Sequence, residues 1–469
     1  MLFNSPEYLV FFVTVAILTW MVVGFPRLRI WMLLIASYYF YISNNHWLIV
    51  LILASTTLDF VSGLVIEGSD DLRWRKIWVQ LSIVANLGLL GYFKYFNFFA
   101  SSVRDAAAAF GVHLSWTDVN ILLPVGISFY TFGSMSYTID VYRRHIRAER
   151  SFHRFAFFVA FFPHLIAGPI VRASLFLPQI DLRPRLDVET LDRSLLLVFQ
   201  GLFKKIVLAG FAAPFADAVF NSPDRADSLT AWIGVYAFAV QIYFDFSGYT
   251  DIAIGSARLL GYELPPNFER PYLAVNVTEF WRRWHMSLST WLRDYLYIPL
   301  GGNRTATSFG VYRNLMLTMM LGGLWHGAAW PFVVWGTIHG GLLAVERWLG
   351  VARRPPPSVR ERVVRGFLMF QLSVLLWIPF RAESLASTGT VLHKLVAFEA
   401  PKVVTVGMLV LVLVVIGAWL AQLFDEYWDT AESIARLPLA LKGLAYGVIF
   451  AAIVVFNSAG AQPFIYFQF

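Results

Sequence analysis

The sequence predicts an all-α polytopic membrane protein, and two observations support that prediction. Hydrophobic residues make up 58% of the 469 residues and charged residues only 14%, whereas soluble domains average about 45–50% apolar and about 25% charged residues. Apolar stretches of about 20 residues, the length at which a helix crosses a bilayer, also recur along the chain. Water is therefore not the main solvent of this protein.

The apolar stretches predict roughly ten to twelve transmembrane helices, accompanied by re-entrant and interfacial helices. No basic residue precedes the first stretch and further spans follow it, so we expect a retained helix there and not a cleaved leader. No soluble domain or internal repeat interrupts the series, and we interpret residues 1–469 as a single membrane domain. In chain order the stretches are Tyr8–Gly24, Ile30–Ser43, Trp47–Ile66, Ile77–Phe93, Ile121–Ile139, Leu195–Phe220, Leu229–Gly255, Leu315–Val345, Val364–Ile378, Val403–Leu423 and Leu441–Val455.

The distribution of basic residues predicts the orientation of the spans. Lys and Arg collect in the cytoplasmic loops of membrane proteins. Alternating spans then place the N-terminus outside, and the formal charge of +7 needs no nucleic-acid partner to explain it. The basic clusters are Arg27–Arg29, Arg73–Lys76, Arg143–Arg154, Lys204–Lys205 and Arg353–Arg365.

The segment Phe152–Leu177 does not fit a straight span. Pro163 and Gly168-Pro169 interrupt it, and Pro178 follows directly. Proline removes a backbone donor and clashes with the preceding helical turn. We therefore expect a re-entrant or broken segment, which lipid tolerates only where the protein buries it.

His326 is the first candidate for chemistry. An ionisable side chain at the centre of a span is unfavourable by about 2.5–3.5 kcal/mol, so its presence indicates a function. The stretch Asn314–Val345 contains no Lys, Arg, Asp or Glu, and His326 lies about 18 Å along it, close to mid-bilayer. Pro331 and the preceding glycines predict a helix break or a close neighbour. His339 lies on a nearly opposite face of a continuous helix, so it cannot share a site with His326 unless the chain folds back at Pro331. We interpret His339 as a helix-packing or interfacial histidine.

The segment Thr278–Pro299 predicts an amphipathic interfacial helix with a basic side and an aromatic side. Arg282, Ser289 and Arg293 share the basic side, whereas His285 lies with tryptophan and leucine on the other. The spacing alone therefore favours His285 as a packing residue.

The segment Gln241–Arg258 carries two carboxylates in an otherwise apolar stretch. Asp245 and Asp251 point in different directions on a helix. A hydrogen-bonded carboxylate that joins helices near Ser247 is as good an interpretation as a catalytic one.

Five blocks occur in order along the chain: PVGISFYTFGSMSYTIDVYRR, QIYFDFSGYTDIAIGSARLLG, PPNFERPY, FWRRWHMSLSTWLRDYLYIPLGG and GGLWHGAAWPFVVWGTIHG. Together they resemble the membrane-bound O-acyltransferase family, and within it the membrane subunits of bacterial alginate O-acetyltransferases. The similarity extends from the N-terminal spans to the terminal QPFIYFQF. It suggests a catalytic core in residues 121–350, between N-terminal spans in 1–120 and C-terminal spans in 351–469.

The resemblance implies a ring of transmembrane helices around a central funnel that narrows to an essential histidine. That histidine corresponds to His326. The family's second polar position, which is histidine, asparagine or aspartate among relatives, corresponds to His285. The supporting or donor-binding candidates are Asp245, Trp325, Arg282, Ser247 and Tyr249.

The chemistry of acyl transfer explains why histidines suit these positions. The acceptor hydroxyl must lose its proton and the developing oxyanion must be stabilised. We expect His326 to be the general base, and His285 to orient the donor or stabilise the oxyanion, across a polar, water-accessible cavity near mid-membrane. Transient acylation of His326 stays open, whereas the absence of cysteine excludes an acyl-cysteine. We expect no metal and no permanently bound cofactor, with acetyl-CoA or a similar acyl thioester as donor substrate.

The resemblance also implies partners and a location. A periplasmic serine-esterase-like acetyltransferase subunit would receive the acyl group and decorate an exopolysaccharide such as alginate, at the bacterial inner membrane and among its lipids. A proton-coupled transporter or flippase is the alternative, since buried His and Asp can relay protons, but no inverted repeat supports it. Lipid acylation is a second enzymatic alternative, which the PPNFERPY block and the terminal block disfavour.

Overall fold

The computed structural model describes residues 1–166, 168–305, 307–351, 358–428, 433 and 437–456, and every regular element in these ranges is a helix. Six of the described helical segments are long and apolar enough to cross a membrane, and two shorter ones, Pro6–Met21 and Ala440–Phe456, are also apolar. The prediction of an all-α, multi-pass membrane protein is confirmed. The six are Ile49–Gly68, Leu72–Ala109, Val188–Phe220, Ser228–Leu259, Val359–Arg381 and Val406–Tyr427.

The chain divides into two compact units. The first comprises Met1–Ser194 and Ala253–Pro265, and the second comprises Leu195–Ile252 and the chain from Pro266 onward. The single-domain assignment, with its subdivisions at residues 120 and 350, stays a prediction. The helices that begin in the first unit are Pro6–Met21, Pro26–Asn45, Ile49–Gly68, Leu72–Leu90, Phe96–Ala109, Ile127–Tyr142, Phe152–Ala160, Phe162–Leu165, Ala173–Ile180 and Val188–Leu202. Those that begin in the second are Gly210–Phe220, Ser228–Leu259, Val277–Arg283, Met286–Leu292, Ser308–His326, Trp330–Trp348, Val359–Arg381, Leu385–Val396, Val406–Tyr427 and Leu439–Phe456.

Polar side chains hold helices together inside the first unit. The buried Asp59 carboxylate accepts hydrogen bonds from Ser82 Oγ at 2.6 Å and from Asn86 Nδ2 at 3.0 Å. Ser82 in turn lies 2.9 Å from Thr138 Oγ1. Hydrocarbon offers little hydrophobic drive between helices, so such polar contacts stabilise their association.

The loops at Glu67–Asp71 and Arg143–Arg150 meet in the same unit. Glu67 Oε2 accepts a hydrogen bond from the Ala148 backbone N–H at 2.9 Å, and Arg144 forms a 3.3 Å ion pair with Asp70. The predicted orientation requires these two loops to lie on one side of the membrane, and their contact agrees with it.

The segment Phe152–Leu177 is broken, as predicted. It forms the helices Phe152–Ala160, Phe162–Leu165 and Ala173–Ile180. The first break is at Phe161, and the second lies between Leu165 and Ala173. Phe161 and Phe162 are fully buried, so the interrupted backbone is shielded by protein, as lipid requires.

A helical hairpin in the second unit carries His326. The helix Ser308–His326 ends at this residue, and Trp330–Trp348 begins after a short extended link with proline in its first turn. A Cβ on Gly336 would collide with the Met319 carbonyl. The missing side chain therefore permits the close approach of the two helices. The break predicted near Pro331 is confirmed, and the chain folds back there.

Candidate functional site

His285 and His326 lie together inside the second unit. Their ring centroids are 6.0 Å apart, and the residues are 0% and 3% exposed. His285 comes from the link between Val277–Arg283 and Met286–Leu292, whereas His326 ends its own helix. The structure therefore brings together the two histidines that the sequence selected, and their catalytic roles stay predictions.

His285 interrupts a helix. Its backbone is left-handed, with φ 43° and ψ 54°, a conformation that few residues other than glycine adopt, although Asn, Asp and His are enriched in it. The continuous amphipathic helix predicted for residues 278–299 is therefore wrong, and Trp284 and His285 are fully buried. Strained backbone of this kind clusters at functional sites.

The His285 side chain has unused hydrogen-bonding capacity. Neither ring nitrogen has a hydrogen-bond partner within the described residues, although both are buried. Most buried polar atoms in proteins are hydrogen-bonded. An imidazole held in this way suits the binding of a ligand atom.

Asn267 fixes the turn that carries His285. Its carbonyl accepts the Met286 N–H at 2.9 Å, and its Oδ1 accepts the Ser287 N–H at 3.3 Å and the Ser287 O–H at 2.6 Å. Its Nδ2 donates to Thr250 Oγ1 at 3.3 Å. Asn267 is fully buried. Sequence reasoning missed this role, because the PPNFERPY block was used only as a sign of the family.

Aromatic rings enclose the two histidines. The Phe246 ring lies edge-on to His285 at 4.7 Å. Trp325 lies 5.7 Å from His285, and Trp335 and Phe380 lie 5.3 Å and 5.2 Å from His326. The prediction of a polar, water-accessible cavity is therefore wrong, because aromatic rings surround both buried imidazoles. The aromatic rings instead give the site a low dielectric constant, which strengthens electrostatic effects on a reacting group.

His339 is a packing residue, as expected. Trp281 Nε1 lies 3.2 Å from His339 Nδ1 in a hydrogen bond, and the Trp335 ring packs on His339 at 4.7 Å. Because the hairpin folds back, the same Trp335 ring also contacts His326. The two histidines therefore do not lie on opposite faces of one continuous helix, and the Trp335 ring lies between their imidazoles.

Asp245 forms a buried ion pair. Lys205 Nζ lies 2.5 Å from its Oδ1, and Lys204 Nζ lies 2.7 Å from Asp251 Oδ2. Lys204 and Lys205, a basic cluster within the predicted stretch Leu195–Phe220, occupy a π-helical turn, Phe203–Ala209, inside an apolar helical segment. The sequence contained a sign of these ion pairs, because two lysines and two aspartates in apolar stretches need partners of opposite charge.

The other predicted supporting residues lie in different places. Trp325 contacts both histidines. Ser247 and Tyr249 are buried on the helix whose Phe246 contacts His285, and Ser247 Oγ has no hydrogen-bond partner in the described part of the chain. Arg282 is exposed.

A charge network anchors the helix before His285, and sequence reasoning missed it. Arg283 donates two 3.0 Å hydrogen bonds to the Glu426 carboxylate. Glu279 pairs with Arg283 at 2.8 Å and with Arg362 at 3.1 Å. Bidentate guanidinium pairs fix orientation as well as distance, so this network positions the Val277–Arg283 helix.

The described residues form a multi-pass helical membrane protein in which two buried histidines lie side by side. Within the described residues, no cluster of three or more His, Cys, Asp or Glu side chains could hold a metal ion. The chain belongs to the membrane-bound O-acyltransferase family, whose sequence profile matches residues 74–385. It is therefore an O-acyltransferase, and not the transporter or flippase of the alternative.

Individual relatives are similar over most of the chain. A probable alginate O-acetylase AlgI of Azotobacter vinelandii is 46% identical over 366 residues, which cover 76% of this chain and 71% of that protein. One of Pseudomonas putida is 38% identical, with 100% of both chains covered. A peptidoglycan O-acetyltransferase of Helicobacter pylori is 35% identical, over 85% of this chain and 80% of its own.

Proposed function

We propose that this O-acyltransferase moves an acetyl group from a cytoplasmic acyl thioester, acetyl-CoA or a similar donor, to a hydroxyl on the periplasmic side. The observation that carries the proposal is the buried pair of His285 and His326, with ring centroids 6.0 Å apart. The similarity to an alginate O-acetylase and to a peptidoglycan O-acetyltransferase supports an acetyl group and a cell-surface polymer as the final acceptor.

His326 acts as the general base in this proposal. It takes the proton of the acceptor hydroxyl while the hydroxyl oxygen attacks the thioester carbon. The carbon–sulfur bond then breaks, and the leaving thiolate takes the proton back from the imidazolium of His326. General base catalysis contributes about 10²–10⁴-fold.

His285 stabilises the tetrahedral oxyanion by donating a ring N–H, or orients the donor before attack. Removing one such donor typically lowers kcat by about 10²–10³-fold. If His326 instead carries the acetyl group itself, burst kinetics and trapping of the acyl-enzyme would reveal that alternative.

A periplasmic partner completes the proposal. A serine-esterase-like acetyltransferase subunit would accept the acetyl group and pass it to an exopolysaccharide such as alginate. The described helices offer no sizeable soluble domain that could hold a polymer. We place this assembly in the bacterial inner membrane.

The experiment that tests the roles compares two histidine variants. His326→Ala should abolish acetyl transfer and leave expression and detergent stability nearly intact. His339→Ala is the matched control, because this histidine packs against Trp281 and Trp335, and it should retain more activity. Substantial activity in His326→Ala would show that the base is wrongly assigned.

Reconstituted vesicles test the direction. Acetyl-CoA stays on the side where it is added, because its phosphates cannot cross the hydrocarbon layer. Donor supplied only at the cytoplasmic face should therefore support transfer. If donor supplied only at the periplasmic face supports transfer equally well, the proposed direction is wrong.

A further inference from the structure

A cavity of about 930 Å³ lies in the first unit, between the termini of three helices. The end of Ile49–Gly68, the start of Leu72–Leu90 and the end of Ile127–Tyr142 surround it, together with the loop that follows. Its charged lining comprises four arginines and one glutamate: Arg75, Arg144, Arg147, Arg150 and Glu67. The lining is therefore strongly basic.

Most of this positive charge is not neutralised. Arg144 pairs with Asp70, and Glu67 accepts from a backbone N–H. In contrast, Arg75, Arg147 and Arg150 have no carboxylate within ion-pair distance in the described ranges.

Arg154, in the helix Phe152–Ala160 that follows this loop, is by contrast neutralised. It forms ion pairs with Glu149 at 3.0 Å and with Asp181 at 2.6 Å, and its guanidinium holds the pKa of the Asp181 carboxyl below the usual value. Arg75, Arg147 and Arg150 lack such partners among the described residues, so their charge is available to a ligand.

Arg75 is the buried member of the set. It is 4% exposed, donates to the Tyr142 carbonyl at 2.5 Å and lies over the Tyr142 ring at 5.5 Å. Its Nε has no hydrogen-bond partner among the described residues. A buried cation without a counter-charge is unfavourable, and an anion in the cavity would relieve that cost.

We propose that this cavity binds a phosphate-type anion, with Arg75 as its buried donor and Arg147 and Arg150 as its exposed donors. Guanidinium groups present planar forks that match phosphate oxygens. The phosphate belongs either to the headgroup of an anionic lipid or to a soluble ligand that reaches the membrane surface. The site contains neither histidine of the acyl-transfer site and does not depend on that reaction.

Two probes distinguish the sources, each with the full-length purified protein. Titration with adenosine 3′,5′-bisphosphate, followed by the shift in melting temperature, tests a soluble phosphate. Native mass spectrometry from mixed micelles of phosphatidylglycerol and phosphatidylcholine tests the lipid headgroup.

The decisive variant is Arg147→Gln/Arg150→Gln, since both side chains are exposed and the change leaves the buried contacts intact. Its matched control is Arg73→Gln/Lys76→Gln, which removes the same charge from exposed residues outside the cavity. Arg75→Gln probes the buried donor, with size-exclusion chromatography to verify folding.

The proposal is supported if the wild type binds one or both probes saturably, and if this binding is weakened at least tenfold in the cavity variant but less than threefold in the control. The probe that binds then identifies the source of the phosphate. Equal weakening in both double variants would mean general surface attraction and overturn the proposal. An absence of saturable binding to the wild type for both probes would overturn it too.

Discussion

Asn267→Ala tests whether the turn around His285 is held by a residue distant from it in sequence. The substitution removes three side-chain hydrogen bonds, two from Ser287 and one to Thr250, and keeps the backbone bond from Met286. At about 0.5–1.5 kcal/mol each, these three bonds contribute about 1.5–4.5 kcal/mol. The left-handed backbone of His285 costs about 1–3 kcal/mol, which is of the same size. The variant should therefore lose the turn and keep the fold.

The expected functional result follows from positioning. A misplacement of about 1 Å in a reacting group can lower the rate roughly 10²-fold. We expect Asn267→Ala to reduce kcat for acetyl transfer by about that factor and to change the KM for acetyl-CoA less than about threefold. The assay is transfer by reconstituted protein, with the melting temperature in detergent measured in parallel.

Thr250→Val is the matched control, because it removes only the hydrogen bond from Asn267 Nδ2 and leaves the bonds to Ser287 in place. Its kcat should stay within about threefold of the wild type. If Asn267→Ala also stays within that range, or if Thr250→Val loses as much, Asn267 does not position His285.

Two further substitutions test the packing that supports the site. Lys205→Met should destabilise the protein by about 3–5 kcal/mol because it strands the buried Asp245 carboxylate, whereas Lys205→Met with Asp245→Leu should recover most of the folded yield on size-exclusion chromatography. A double variant that folds but transfers no acetyl would instead assign Asp245 to the chemistry. Gly336→Ala should lower stability by about 1–3 kcal/mol, since its Cβ would collide with the opposite helix of the hairpin. Gly341→Ala, whose Cβ would meet nothing within 4 Å, should leave the melting temperature unchanged, and equal melting temperatures for the two variants would contradict the packing argument.

The sequence allowed the fold class and His326 to be predicted, because hydropathy and an uncharged apolar stretch are local signals. The hairpin break near Pro331 was predicted for the same reason, since proline and glycine act on the backbone where they stand. His285 was assigned to the site only through the family resemblance, and its spacing indicated a packing residue.

The features that were missed depend on distant residues. No glycine or proline marks the break at His285, because Asn267 supplies the hydrogen bonds that make the turn stable. Lys204 and Lys205 stood out in the sequence as a basic cluster, but their partners on another helix, Asp251 and Asp245, could not be identified from it. Helical periodicity describes one element at a time and contains no information about such pairings.

The left-handed backbone at His285 also limits how this position can change during evolution. Apart from glycine, the residues that tolerate such a φ best are asparagine, aspartate and histidine, the same three that the family resemblance implies for this position. Their codons share the second base and differ in the first, so a single nucleotide change converts any one into another. Mutation can therefore exchange an imidazole, an amide and a carboxylate here while the main chain keeps its shape, and the chemistry of the site can vary without a new fold.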